Sequence, residues 1–399
     1  MARFAFLSVA AHGHVSPTLG VVQELIGRGH DVDYLTTEEF AGPLTAVGAK
    51  VHRYKVPGGP QQAPPAFADN DPSALPMFFL PGSGDRLKLA EAALTGSPPD
   101  VVVYDNTSPF VGRALARRTG ARAVQFFPTF ASSRGFALMD AMLARTGRSP
   151  VHEANLAEFD SALRKFLADT GLHNVTPEEF MDFEERLNLV FLPRSFQLAA
   201  DTFGDHYRFV GPNTAGRAAQ GKWTPTGERP VVLVSLGTVF NRAPEFFRAA
   251  IAGLADQEVQ LVLSIGTHVD PTELGPLPRD CEVHATVPQL AVLDHAAAAV
   301  CHGGMGSTME AIASRVPLVL VPRMVEQEVI ADRVAELGLG VRLDRAGATA
   351  DRIGEAVQFV RTDADVATAV ADAARSVAEA GGASAAADAL EDYLSQEAV

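Results

Sequence analysis

The feature that most constrains this chain is a unit that recurs twice over: a short buried strand, a turn carrying glycine, an amphipathic helix and a second buried strand. The first copy is plain. Arg3 to Ala10 reads as a strand and Ala11 to Ser16 as a turn around Gly13, with Ser16 as N-cap and Pro17 in the first helical turn. Val15, Leu19, Val22 and Ile26 follow at helical spacing, Gly29 suits a left-handed close, and Val32 to Leu35 is the next strand. Such a unit implies a parallel sheet with helices outside. Val101 to Tyr104, Phe110 to Arg118 and Ala123 to Phe127 continue the run, and Phe130 to Asp182 reads as mostly helical.

A second run starts at Val231 to Val234, followed by a helix over Ala243 to Leu254. Strands follow at Val259 to Ile265, Ala298 to Cys301 and Leu318 to Val321. Between the runs, residues 211–230 hold three prolines, four glycines and the single tryptophan, Trp223, the composition of a linker. The chain of 399 residues therefore divides into a first domain over 1–210, a linker over 211–230, a second domain over 231–383 and a last helix over 384–399; Val366 to Leu394 reads as alanine-rich helix. Pro57 to Gly84 breaks the rhythm with seven prolines and reads as a long loop.

Charge and cysteine usage exclude several classes. The formal net charge is −15, which repels nucleic acid and anionic membrane, so an anionic ligand must be held by local devices. Two cysteines, Cys281 and Cys301, cannot form a disulfide framework and read as buried thiols. The apolar stretch from Phe4 to Val9 is too short for a leader or a membrane span, which predicts a cytoplasmic protein. No Gly-x-Gly-x-x-Gly follows the first strand; P-loop, Gly-x-Ser-x-Gly and His-Glu-x-x-His motifs are also missing.

One segment stands out: His302-Gly303-Gly304-Met305-Gly306-Ser307-Thr308, after a strand and before a helix expected from about Met309. Its glycines let backbone approach a ligand, and the N–H groups at a helix start attract an anion. Ser307 adds a hydroxyl donor, and His302 a donor that becomes a positive charge if protonated. A glycine-rich turn with Ser307 as a simple helix cap is the competing reading. Ser235-Leu236-Gly237-Thr238 ends the first strand of the second run, where open α/β sheets bind ligands. In the first run His14 follows the first strand and Asp105 closes another. A neutral histidine can take a proton from a hydroxyl, and a carboxylate on its Nδ1–H would fix the tautomer. His12 is a loop histidine or cap.

Together these residues resemble the family 1 glycosyltransferases of the GT-B fold, and within them the macrolide and calicheamicin glycosyltransferases of actinomycetes. The resemblance runs through Ala11 to Pro17, Leu192 to Gln197, Val234 to Thr238, Val287-Pro288-Gln289 and His302 to Glu310. It implies an α/β fold of two facing Rossmann-like domains with an interdomain cleft, the first taking the acceptor and the second the nucleotide sugar. The last helix, about residues 384–399, would cross back to the first domain. By the same resemblance His14 is the general base and Asp105 its partner. Gly237 and Thr238 join the donor site; His302, Gly304, Gly306 and Ser307 hold the diphosphate, Glu310 the ribose, and Val287 and Gln289 the base. Glu326 and Gln327 meet the sugar hydroxyls. Thr286 replaces an aromatic that usually stacks on the base, and Glu326 replaces a common aspartate.

The reaction so implied is a single inverting displacement with no cofactor and no metal. A UDP- or TDP-sugar is the donor, and the acceptor is a hydrophobic natural product such as a macrolide, another polyketide or an enediyne-type aglycone. Phe78 and Phe130, with Phe79, Phe126, Phe127 and Phe136, are expected around the acceptor. The chain would work as a monomer or homodimer, in antibiotic biosynthesis or in resistance. A non-catalytic nucleotide-sugar-binding helper and a lipid-acceptor transferase at a membrane face are the rival readings.

Overall fold

The computed structural model describes residues 1–55, 71–147, 150–182, 184–213, 221–237 and 242–396. The chain divides into two compact units, Met1–Gly216 with Ala380–Val399, and Arg217–Glu379. The first contains a parallel sheet in the order β3-β2-β1-β4-β5-β6-β7. Its strands are β1 (Arg3–Leu7), β2 (Asp31–Thr36), β3 (Lys50–Arg53), β4 (Val101–Asp105), β5 (Arg122–Phe127), β6 (Asn188–Val190) and β7 (Tyr207–Phe209).

Strands covered on both faces read as unbroken apolar runs, as β1 and β4 do. Alternate residues feed two cores. Phe4, Phe6, Val101 and Val103 pack on one face with Val22 and Leu25 of the His12–Gly27 helix. Ala5, Val102 and Tyr104 pack on the other with Phe110, Leu115, Leu163 and Phe166. The Gly382–Ser395 helix belongs to the first of these cores, through Ala386, Ala387, Leu390 and Tyr393. Its outer side is tied by Arg28 to Asp388 and Glu391, each at 2.6 Å, and by Arg122 to the carbonyls of Tyr393 and Gln396.

The second unit repeats the order, β10-β9-β8-β11-β12-β13, all parallel. Its strands are β8 (Val231–Ser235), β9 (Gln260–Ser264), β10 (Cys281–His284), β11 (Ala296–Cys301), β12 (Leu318–Leu320) and β13 (Gly340–Arg342). On its surface the Pro244–Leu254 and Ala350–Thr362 helices cross closely: a Cβ on Gly253 would stand 2.0 Å from the Ala350 carbonyl oxygen. In each unit the order reverses beside the first strand, between β1 and β4 and between β8 and β11. Loops leaving the carboxyl ends of the strands diverge there and open a crevice.

Several expectations change. The first helix begins at His12 with Ala11 as N-cap, so Ser16 caps nothing and Pro17 lies inside the helix. The helix after the His302 loop spans Met305–Ala313 with Gly304 as N-cap, four residues earlier than expected, which puts Ser307 within the first turn. Residues 57–70 of the Pro57 to Gly84 stretch lie outside the described residues. Its remainder is helical, over Pro72–Ala74, Leu75–Phe79 and the start of Ser83–Ala93. The alanine-rich end is two helices, Ala364–Glu379 and Gly382–Ser395, parted by Gly381 at φ +84°. Trp223, read as linker, donates to Glu282 at 3.1 Å and is anchored to the second unit. Cys301 is buried but Cys281 only half-buried; burial pushes both thiols up to about 11, so neither is reactive at neutral pH. Among the described residues no helix is long and apolar enough to cross a membrane.

Candidate functional site

In the first unit the two crevice-forming strands deliver one residue each. β4 ends in Asp105, which has no exposed surface. The loop after β1 enters the His12–Gly27 helix, whose third residue is His14. The two side chains meet, His14 Nδ1 to Asp105 Oδ2 at 2.7 Å. Asp105 also accepts from the backbone N–H of Val9 at 3.2 Å and of Thr107 at 2.9 Å. An ionised carboxylate only accepts hydrogen bonds, so Nδ1 carries the proton and Nε2 is left with its lone pair. The His14 side chain keeps about a quarter of its surface, 24%. This is the arrangement of a general base with an orienting partner. His12 takes no part: it is exposed, lies edge-on to Phe40 and stands 3.5 Å from Glu39.

The two phenylalanines expected at the acceptor part company. Phe78 is half-buried and packs edge-on against Phe79. Phe130 is 1% exposed and stacked on Phe196 at 5.7 Å, so it is core and offers no ring face to a ligand. Phe126 and Phe127 are likewise core. A depression of about 460 Å³ on this unit lies at the β7 edge against the last helix and involves none of the dyad.

In the second unit the reversal point brings together β8 and β11, and hence Gly237 and His302. The imidazole of His302 fills the space that side chains at two glycines would need. A Cβ on Gly237, which has φ +74°, would come within 2.6 Å of the ring, and one on Gly304 within 2.5 Å. Burial, helped by the positive charge of Arg323, pulls the pKa of His302 down to about 4. The ring is therefore neutral at physiological pH, and the positive charge entertained for it is absent. Its Nδ1 is buried without a hydrogen-bond partner among the described residues. Thr238 lies outside them.

Gly306 differs from the other two glycines: a Cβ there would meet no atom within 4 Å. It leaves open space at the first turn of the Met305–Ala313 helix, where backbone N–H groups lack intrahelical partners. Around that turn three expected residues are joined. Gln289 Nε2 donates to Ser307 Oγ at 3.2 Å and to Glu310 Oε2 at 2.7 Å. Glu310 is buried, whereas Val287 and Gln289 are half-buried and Thr286 is exposed. Gln327 spends its amide oxygen on the Arg323 N–H at 2.9 Å, which leaves its NH2 as a donor; Glu326 beside it is half-buried at the start of the Val325–Glu336 helix. Sequence reasoning did not single out Tyr54 and Arg86, which border a small recess beside Val9; Tyr54 follows the short Lys50–Arg53 strand and Arg86 lies in the Ser83–Ala93 helix, just past the expected loop.

Comparison with known proteins gives a consistent result. Residues 248–389 match the model for the C-terminal domain of erythromycin biosynthesis protein CIII-like proteins, and residues 13–167 a glycosyl transferase 4-like domain. The chain is 34% identical over 400 residues to NDP-glycosyltransferase YjiC of Bacillus subtilis, covering 100% of this chain and 98% of that one. It is 35% identical over 403 residues to the oleandomycin glycosyltransferase of Streptomyces antibioticus, covering 98% and 91%. Among solved structures, the calicheamicin glycosyltransferase CalG4 superposes with a TM-score of 0.86 at 38% identity over the full length of both chains.

Proposed function

Because the chain belongs to the family 1 glycosyltransferases of the GT-B fold, we propose that it transfers a sugar from UDP or TDP to a hydroxyl of a hydrophobic natural product, with inversion and without a metal. The observation that carries the reading is the His14–Asp105 pair at 2.7 Å, at the reversal point of its sheet. Other histidines of the chain also pair with carboxylates, but this pair stands where the two crevice-forming strands end, which favours catalysis over binding alone. In the step we propose, His14 Nε2 takes the proton of the acceptor hydroxyl as its oxygen forms a bond to the anomeric carbon. The bond from that carbon to the diphosphate breaks, and its electron pair leaves with the diphosphate. Negative charge grows on that leaving group, where the N–H groups at the start of the Met305–Ala313 helix, Ser307 and neutral His302 would donate to it. Gln289 and Glu310, already hydrogen-bonded to each other, suit the nucleoside, and Glu326 with Gln327 suit the sugar hydroxyls. The relatives include an enzyme named for a macrolide, which favours an acceptor of that kind.

A thermal-shift panel of UDP- and TDP-sugars, followed by mass-spectrometric screening of aglycones with the best donor, tests this. A stabilising donor and a product heavier by one sugar residue are expected. The His14→Ala variant should lose roughly 10²–10⁴ in kcat and keep its nucleotide-diphosphate affinity. Full turnover by that variant would remove the base assignment.

A further inference from the structure

The loop that carries His14 is braced by a strand that supplies neither member of the dyad. Within the loop, the Ala11 N–H donates to the Val9 carbonyl at 2.8 Å. The Ala11 carbonyl accepts from the N–H groups of His14 and Val15, each at 3.0 Å. These bonds join the end of β1 to the first turn of the His12–Gly27 helix. A chain of side-chain hydroxyls crosses the same loop. Tyr34 of β2 places its hydroxyl 2.9 Å from Ser8 Oγ and 2.9 Å from Thr18 Oγ1. Thr18 Oγ1 donates in turn to the Val15 carbonyl at 2.8 Å.

The direction of the chain follows from its last bond. Thr18 has one hydroxyl proton and spends it on Val15, so it accepts from Tyr34, and Tyr34 accepts from Ser8. Tyr34 and Thr18 have no exposed surface. Burial, with the nearby charge of Asp105, raises the Tyr34 pKa, so the phenol keeps the proton that it donates. Its ring is stacked on Phe6 at 5.8 Å with 12° between the planes, which fixes where the hydroxyl points. Apolar side chains would fill this space with no polar group to desolvate. A satisfied buried network instead selects one arrangement of the groups that it joins. Those groups are the two supports of the dyad. Ser8 precedes Val9, whose N–H holds Asp105 at 3.2 Å, and Thr18 lies one helical turn after His14.

We propose that Tyr34 is a positioning residue for the general base: its hydroxyl locks the end of β1 to the first helical turn, which keeps His14 Nδ1 on Asp105 and Nε2 free for the acceptor. The inference deepens the function proposed above and rests on its assignment of His14. With no surface of its own, Tyr34 acts only through the two segments that it joins.

The test uses full-length protein and two readouts. The first is the tautomer of His14, read by nitrogen NMR on isotope-labelled histidines, with the His14 signals assigned by their loss in His14→Ala. The second is kcat with the donor and aglycone that turn over fastest in the screen above. In the wild type the Nδ1-protonated form should dominate. Thr18→Val removes the hydroxyl and keeps the shape, whereas Thr18→Ser keeps the hydroxyl. Thr18→Val and Tyr34→Phe should each bring in the Nε2-protonated form and lower kcat by about 10- to 100-fold, the scale of a reacting group displaced by about 1 Å. UDP affinity by calorimetry should not change in either. Thr18→Ser should match the wild type in tautomer and in kcat. The double variant Tyr34→Phe with Thr18→Val strands neither hydroxyl and covers the case in which a single variant does not fold; it should lose no more than either change alone. An unchanged tautomer, wild-type kcat in Thr18→Val and Tyr34→Phe, or equal losses in Thr18→Ser and Thr18→Val would overturn the proposal and leave Tyr34 a residue of the core alone. If the wild type turns over no donor, glycosyl transfer fails instead, and the tautomer comparison still decides whether Tyr34 positions His14.

Discussion

Asp105 accepts from two backbone N–H groups and from His14 while showing no surface to solvent. Its charge, more than its shape, is what the imidazole needs. Asp105→Asn keeps the volume but can present an NH2 to Nδ1, which favours the tautomer with its proton on Nε2. A fall in kcat of about 10²–10⁴ is expected, with UDP affinity unchanged; a variant that turns over like the wild type would contradict the orienting role. His302 gives a second residue-scale test. Unfolded, a histidine titrates near ~6.5; folded, this one titrates at about 4. Between those values the unfolded chain binds the extra proton, so acid favours unfolding. Its stabilisation is complete above the upper value and is lost as pH falls toward the lower one, by up to about 1.4 kcal/mol per pH unit. Melting temperatures between pH 7 and 5 should therefore fall less steeply in His302→Gln than in the wild type, and parallel curves would refute the burial argument.

At the scale of the element, the start of the Met305–Ala313 helix separates two uses of glycine. Gly304 makes room for His302, whereas Gly306 makes room for no protein atom. Gly304→Ala should lower both the melting temperature and the affinity for nucleotide diphosphate. Gly306→Ala should hold or raise the melting temperature, since alanine favours a helix by about 1 kcal/mol over glycine, and lower only the affinity. A Gly306→Ala variant that binds UDP normally would show that nothing approaches that backbone. This difference was not legible in the sequence, where both positions are glycines of one loop. What was legible were the long apolar strands and the residues at their carboxyl ends, because parallel strands buried on both faces leave a continuous signal. Thus His14, Asp105, Gly237 and His302 could be placed before any coordinates. Strands of three or four residues, such as Asn188–Val190 and Gly340–Arg342, are too short to show a period. Helix starts were misplaced because Ala11 and Gly304 cap without a side-chain bond, so the usual Ser or Asp signal is missing. Phe130 misled because a phenylalanine in a core and one lining a pocket look the same in one dimension.

At the scale of the molecule, the chain uses its last helix to complete its first unit. Two kinds of contact hold it, and their magnitudes differ. The Arg28 pairs with Asp388 and Glu391 lie at the surface and are worth about 0–1 kcal/mol each. Leu390 is fully buried, and Leu390→Ala should cost about 2–5 kcal/mol. Chemical denaturation should thus show the first unit weakened far more by Leu390→Ala than by Arg28→Ala; the reverse order would mean that the helix is held by charge. The same helix fixes an order of events during synthesis. Residues 217–379 form one unbroken stretch and can close as soon as they emerge. The half that is translated first must wait, with part of its apolar interior uncovered, until the Gly382–Ser395 helix has emerged. The nascent first unit is accordingly the one exposed to chaperones and to premature stops, and a nonsense codon between positions 380 and 390 would spare the second unit while leaving the first unfinished.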